Sequence, residues 1–580
     1  MRSPAIRVLL PVAVLAMSAC ASRQVRPWQY TPRPLADTLA IWEPEEREVP
    51  IVYDAAHEFV IDPTIDILNV PGWFIESPPA LNADPMDGVV NSTWFTNRNA
   101  VDPLTPDEVM RGSHTGEGPD DSAPLEITDN KSEGVNVGFW INDAAGQRWI
   151  IKLDPPEFPE MGSGADVLAT NLVWAAGYNT PENYVYSFDP NNIVLEEEFE
   201  IEVFEDGETV NYEVGADEPD ERELTVEKFR QAVLEDVPRQ PDGTIRTLAS
   251  KFLPGTPKGP FAWEGRRPDD PNDVVPHEHR RELRGYYVVG AWLNQTDTKQ
   301  GNTLDMFILD EGSPEDDENA RRFGYLRHYM LDNGSALGSG GTHPQDPRHG
   351  SENELDMDAI GKRFLTLGLY ERPWQDVDEE DAQNPPSIGY YQSEIFLPGD
   401  WRPNIPNEAF NNIGPRDGYW GAKIVMSFTD EQLERAIDAT QWSDVAARTY
   451  LLRSLKERRD MTGRYWFSRV SPLDNPWVED RAIVVFDDRW TRHFGGTTEY
   501  RVEFDWAAPE PEIEFQGVFT EPRITLPMPA GAVAQAERPR DRYALLQVWK
   551  RQEDGDWAPR PARFWLDWQN GSYRVIGARY

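Results

Sequence analysis

Cysteine is nearly absent from this chain: Cys20 is the only one in 580 residues. No intrachain disulfide can form, and a zinc site built on several thiolates is excluded. Histidine is scarce too, with eight scattered residues, and His277-Glu-His279, lacking cysteine partners, is expected to be a solvated loop pair. Cations are outnumbered, 56 Lys and Arg against 101 Asp and Glu, for a formal charge of −45. A surface of that sign repels phosphates, which argues against nucleic acid or anionic lipid as a partner. Beyond the first twenty residues no apolar run is long enough to cross a bilayer, and no internal repeat is visible.

The first twenty residues differ from the rest. A short basic stretch, Met1 to Arg7, precedes the apolar run Val8 to Ala16, which is too short to span a membrane. Met17-Ser-Ala-Cys20 then resembles a bacterial lipobox, with Met where Leu is usual. That resemblance implies a signal peptide over 1–20 and a diacylglyceryl anchor on Cys20. With Ala21 rather than Asp following, it implies an outer-membrane lipoprotein in the cell envelope. The remainder, 39% hydrophobic with 21 Trp, has ample material for sizeable cores.

One constellation carries chemistry. Asp297-Thr-Lys299-Gln-Gly-Asn302 has the spacing of a phosphotransfer loop, Asp332-Asn333-Gly334 follows thirty residues on, and Lys152 lies upstream in the apolar run Trp149-Ile-Ile-Lys-Leu153. Phosphoryl transfer runs through a loose transition state, so a protein mainly positions reactants and neutralises charge. Asp297 would take or orient the proton of an attacking hydroxyl, and Lys299 would stand beside the transferred group as a point charge. Asn302 and Asp332 offer hard oxygen donors suited to Mg²⁺. Lys152 would reach the α and β phosphates. Ser132 and Gly134, in Asn130-Lys-Ser-Glu-Gly134, could lend backbone N–H groups to phosphate oxygens. The cations Lys258, Arg280, Arg281, Arg284, Arg321 and Arg322 are candidates to offset the acidic surface around bound nucleotide.

Local patterns supply the context. Arg281 to Leu293 reads as a helix leading into the Asp297 loop, and Thr303 to Leu309 with Gly324 to Leu331 reads as a hairpin returning Asp332 beside Asn302. Gly164 to Gly177 reads as a helix whose first-turn acid, Asp166, would aim Lys152, with Glu160 as a rival partner. Ile193 to Val214 reads as an acidic hairpin, Thr105 to Arg111 as a capped short helix, Thr429 to Ala439 and Ser443 to Met461 as longer ones. The run Gly334 to Gly341, with Ser335 and Ser339, reads as a mobile loop. The tryptophans near 374, 401, 420 and 442 are expected in cores rather than on a carbohydrate-stacking surface.

The set Lys152, Asp166, Asp297, Asn302 and Asp332 resembles the atypical kinase-like families grouped with HipA-like and phosphatidylinositol-kinase-like proteins, well over 126–345 and loosely to 475. The resemblance implies ATP-phosphate contact for Lys152, its ion-pair partner in Asp166, the base in Asp297, and Mg²⁺ ligands in Asn302 and Asp332. This chain departs from many kinases in carrying Gln295 two residues before Asp297, Asp-Asn-Gly rather than Asp-Phe-Gly, and Asp rather than Glu on the helix. By order alone, Lys251-Phe-Leu253 falls where an adenine hinge would lie. The expected fold is thus α+β, a two-lobed kinase-like body with an extended N-terminal region at 21–125, an N-lobe at 126–265, a helical C-lobe at 266–475 and a small β domain at 476–580. The expected activity is Mg²⁺-dependent transfer from ATP to an unknown protein or small-molecule hydroxyl, as phosphate or as AMP. The alternative is a pseudokinase that binds envelope partners without catalysis.

Overall fold

The computed structural model describes residues 37–47, 77–130, 137–197, 199–205, 208–215, 222–313, 321–377, 384–507, 514–530, 541–552 and 555–580. The protein is mixed α+β with several separate sheets. It divides into two compact units. The larger comprises Arg33–Asp84 and Gly88–Trp466, the smaller Pro85–Asp87 and Phe467–Tyr580 among the described residues.

In the larger unit, a six-stranded sheet runs in the order Asn183–Phe188, Ile245–Lys251, Arg148–Leu153, Gly138–Asn142, Leu125–Asn130, Ile193–Leu195. Its neighbours pair antiparallel, except that Leu125–Asn130 and Ile193–Leu195 run parallel. Alternation sets the register: Trp149, Ile151 and Leu153 are buried, which turns Ile150 and Lys152 to the other face. The buried face is covered by Phe188, Phe199, Phe229 and Leu234. The acidic hairpin forms from Glu200–Glu205 and Glu208–Glu213, while residues 206 and 207 of its turn lie outside the described residues.

Helix Met161–Ala176 follows the lysine strand and is buried along nearly its whole length. It begins three residues earlier than its glycine pattern predicts, so Asp166 stands in its second turn rather than its first. Gly177 ends it at φ 126°, where a Cβ would lie 2.3 Å from the Phe95 ring. Only glycine is compatible with that backbone and that contact.

Helix Arg281–Leu293 has every residue buried, as expected of an element delivering a loop from a core. It packs against helix Pro415–Val425 through small residues: a Cβ on Gly421 would lie 2.8 Å from Val288, and one on Gly285 would lie 2.4 Å from the Trp420 ring. Trp401, Trp420 and Trp442 are buried core side chains, and Trp374 donates to Glu352. The short helix Pro106–Arg111 carries the Thr105 capping box, and Thr429 caps Asp430–Ile437 in the same way. The last long helix runs Val445–Phe467.

A four-stranded sheet, in the order Ile41–Trp42, Phe323–Met330, Thr303–Leu309, Thr256–Pro257, contains the expected hairpin. Thr303 pairs with Met330 and Leu309 with Gly324. Two buried His–Asp pairs, which a solvated-loop reading of His277 misses, meet at Trp94. His277 is buried with Nε2 2.8 Å from Asp273, and His328 sits 2.6 Å from Asp305 while stacking on Trp94 at 3.5 Å. An ionisable pair at such depth is retained when its hydrogen bonds are satisfied.

The smaller unit contains a five-stranded antiparallel sheet, Glu514–Phe519, Thr498–Trp506, Tyr543–Gln552, Ala562–Gln569, Ser572–Arg579, and a three-stranded one, Leu473–Glu479, Ile483–Asp488, Arg523–Thr525. Thr498–Trp506 alternates buried and half-buried residues along its whole length, the signature of a sheet with one packed face. Within this unit Lys550 is buried 3.0 Å from Asp488. Burial pushes its ammonium down to about 8 despite that carboxylate. The unfolded chain keeps the same proton to about pH 10.4, so between about pH 8 and 10 the unfolded state binds more protons and stability rises with pH. Below that window the charged lysine costs on the order of 3 kcal/mol. Thermal melts of Lys550→Met are expected to lose this rise between about pH 8 and 10 while the unsubstituted protein shows it; parallel slopes would refute the assignment.

Candidate functional site

Three side chains far apart in sequence meet at one point. Lys152 Nζ donates to Asp332 Oδ2 at 3.0 Å and lies 3.6 Å from Asp166 Oδ2. The contact is set by the strand alternation that turns Lys152 away from the Trp149 face, by the helix that follows, and by the hairpin that returns Asp332. Glu160 is not the partner of Lys152: its carboxylate accepts the Ser443 N–H at 3.0 Å. Burial works to lower the Lys152 pKa, but Asp332 and Asp166 outweigh it and hold the ammonium raised. Burial raises the Asp166 carboxyl, and the attraction of Lys152 offsets this only in part.

Asp166 is clamped on its other oxygen, which accepts from Asn183 Nδ2 at 2.8 Å and Thr170 Oγ1 at 3.0 Å. Thr170 also accepts from Asn333 Nδ2 at 3.2 Å, and the Tyr286 hydroxyl donates to Asn333 Oδ1 at 3.3 Å. The middle residue of Asp332-Asn333-Gly334 is therefore a buried link between two helices. Gly334 donates its N–H to Asp332 Oδ1 at 2.9 Å, and a Cβ there would lie 3.1 Å from that oxygen.

The loop after helix Arg281–Leu293 is held just as closely. Gln295 Nε2 donates to the Asp332 carbonyl at 2.8 Å, and the Thr296 N–H to the Ser335 carbonyl at 3.0 Å. Gln295, a departure at the level of sequence, thus ties the Asp297 loop to Asp332. Asp297 Oδ2 accepts from Lys299 Nζ at 3.0 Å, and its carbonyl accepts from Asn302 Nδ2 at 2.7 Å. The Asn302 carbonyl accepts the Leu331 N–H at 2.9 Å, which puts Asn302 beside the residue preceding Asp332. Sequence reasoning missed Asn183, Thr170 and the tethering role of Gln295, and also Arg47, which donates to Gln300 Oε1 at 3.2 Å and to the Pro260 carbonyl at 3.0 Å. Only Gln295 carried a signal, its position two residues before Asp297.

The fit of a Mg²⁺-nucleotide can be tested on the donors. Asn302 spends its Nδ2 on Asp297, leaving Oδ1 without a partner among the described residues. Asp332 supplies a carboxylate, and Lys152 and Lys299 supply cations for phosphate. One carboxylate and one amide oxygen are a sufficient protein share for Mg²⁺, which takes its other ligands from water and phosphates. No group of three or more His, Cys, Asp or Glu side chains suited to a metal occurs among the described residues, and this donor set does not require one.

Other expected contributors are engaged elsewhere. Arg281 and Arg284 share Asp417 at 3.2 and 3.1 Å, Arg280 pairs with Asp273 at 2.9 Å, Lys258 and Arg322 pair with Glu43, and Arg321 lies over the Trp42 ring. These cations hold the fold together and are not a phosphate cradle. Lys251 is bonded to Glu182 at 3.1 Å, and the Phe252 N–H is spent on the Arg148 carbonyl. Ser339 is fully buried rather than part of a mobile run. Ser132, Gly134 and Cys20 lie outside the described residues. The chain matches no known family model and no curated protein.

Proposed function

We propose that the cluster of Lys152, Asp166, Asp297, Lys299, Asn302 and Asp332 is the phosphotransfer site of a kinase-like, two-lobed unit. The observation that carries the reading is the meeting of Lys152 with both Asp166 and Asp332, contributed by a strand, the helix after it and the end of a distant hairpin. Lys152 and Lys299 bind phosphate oxygens, and Asp166, fixed by Asn183 and Thr170, aims Lys152. Asn302 and Asp332 hold Mg²⁺, which supplies neutralisation of phosphate charge when bound. Asp297 orients the acceptor hydroxyl and takes its proton, steadied by the Lys299 contact. The acceptor is a protein or small-molecule hydroxyl. Cys20 is proposed as the lipid-bearing residue that tethers the chain in a bacterial envelope.

One observation favours a second reading, a binding protein that keeps the arrangement without the reaction: Asp332 Oδ2 is taken by Lys152 and Oδ1 by the Gly334 N–H, so Mg²⁺ must displace or share those contacts. Calorimetry of the full chain with ATP separates the readings. Affinity that requires millimolar Mg²⁺, together with a phosphate or AMP adduct found by mass spectrometry, is expected from an enzyme. Mg²⁺-dependent affinity without an adduct supports the binding protein, and no affinity overturns both.

A further inference from the structure

Helix Met357–Leu365 and the turn after it form the most anomalous part of the described surface. Phe364, Leu365, Leu367 and Leu369 are 79%, 81%, 93% and 85% exposed. Scattered apolar side chains on a surface are ordinary, but four large ones within six residues are not. Ile360, also exposed, lies one turn before Phe364 on the same helix. Leu367 adopts a left-handed backbone at φ 53° next to Gly368 at φ 89°, a conformation unfavourable for a leucine that has nothing to pack on.

The backbone of this projection indicates what covers it. Thr366 N–H donates to Lys362, Leu367 to Phe364, Gly368 to Arg363 and Leu369 to Thr366 carbonyls, and the Tyr370 N–H is taken by Thr366 Oγ1 at 3.0 Å. Even the Thr366 hydroxyl is spent, donating to the Lys362 carbonyl at 2.8 Å. A tip with apolar side chains outward and its peptide N–H groups satisfied within itself meets the donor half of the requirement that hydrocarbon imposes on a backbone. Lys362 and Arg363 in the last helical turn, with Tyr370 beyond it, provide long cationic and aromatic side chains of the kind that settle at a headgroup layer.

We propose that the side chains of Ile360, Phe364, Leu365, Leu367 and Leu369 insert into a lipid bilayer, with Lys362 and Arg363 at its headgroup layer, making this turn a membrane-docking tip. With a chain charge of −45, attachment rests on apolar burial rather than on attraction to anionic headgroups, so neutral phosphatidylcholine vesicles suffice. The proposal is independent of the phosphotransfer reading.

Because Cys20 is the only cysteine, Cys20→Ser removes both the native thiol and any lipid anchor, and a second substitution then gives a single labelling site in the full chain. With a polarity-sensitive fluorophore at Leu367→Cys or Leu369→Cys, phosphatidylcholine vesicles are expected to shift emission to the blue and protect the dye from aqueous iodide. A label at Asp480→Cys, an 83% exposed side chain, is expected to show neither change. Adding Phe364→Asp and Leu365→Asp to the Leu367→Cys protein is expected to weaken vesicle partition at least ~10-fold. No shift at 367 and 369, an equal shift at 480, or a blue shift that grows with protein concentration in the absence of vesicles would overturn the proposal, the last by showing that the tip packs on a second copy of the chain.

Discussion

Asp332→Ala is expected to abolish Mg²⁺-dependent ATP binding and to lower any transfer activity by about 10²- to 10³-fold, the range seen when a preorganised electrostatic group is removed from an active site. Asp332 is the point where three demands meet. It holds Lys152 at 3.0 Å, orders the turn by accepting the Gly334 N–H at 2.9 Å, and is the carboxylate that the proposed Mg²⁺ site depends on. Without it, Lys152 keeps the Asp166 carboxylate at 3.6 Å. The lysine is then drawn toward the helix and away from incoming phosphate. Its side chain being 40% exposed, Asp332 can be removed with little loss of packing, so the melting temperature is expected to change by less than about 2 °C. Asp332→Asn preserves shape and one acceptor oxygen; it is expected to retain the Gly334 contact and still lose Mg²⁺-dependent binding. Nucleotide affinity in either variant within about twofold of the parent would contradict the assignment, because a factor of two is below the worth of any charge-assisted contact to a metal or phosphate.

The legible part of this protein was what short-range pattern and residue order carry. Helix Arg281–Leu293, the hairpin Thr303–Leu309 with Phe323–Met330, and the Thr105 and Thr429 caps all announce themselves within a dozen residues, by periodicity or by a side chain that closes on a nearby N–H. The meeting of Lys152, Asp166 and Asp332 was legible for another reason: those residue types in that order match a chemistry that requires them together. Partner choice among charges was not legible. Arg281 finds Asp417 136 residues on, and Arg322 reaches back 279 residues to Glu43. A chain with nearly twice as many acids as bases offers every arginine many candidate partners, and pattern within a helix cannot choose among them. The burial of His277 was hidden likewise, since Asp273 and Ala262 satisfy its ring only once the loop has folded back.

Asp417→Ala is expected to destabilise the larger unit by about 4 kcal/mol. Arg281 and Arg284 are both fully buried, and Asp417, itself 3% exposed, gives one oxygen to each. Removing the carboxylate leaves two like charges without their counterion in a medium that cannot solvate them, and their mutual repulsion adds to the desolvation cost. Arg284 retains neutral partners, the Pro78 and Glu278 carbonyls at 2.7 and 2.6 Å, which offset part of its penalty. Replacing one guanidinium together with the carboxylate gives the decisive comparison. If the ion pair itself supplies the stability, Arg281→Met in the Asp417→Leu background is expected to make matters worse. If the damage is the uncompensated charge, the double substitution is expected to recover at least half of the loss, because a buried pair replaced by apolar side chains of similar volume is often neutral. Chemical denaturation of the single and double variants measures the difference directly, as a shift in midpoint at constant slope. A loss below about 1 kcal/mol for Asp417→Ala would mean that water reaches the two guanidinium groups, and that helix Arg281–Leu293 is less deeply set than its burial implies.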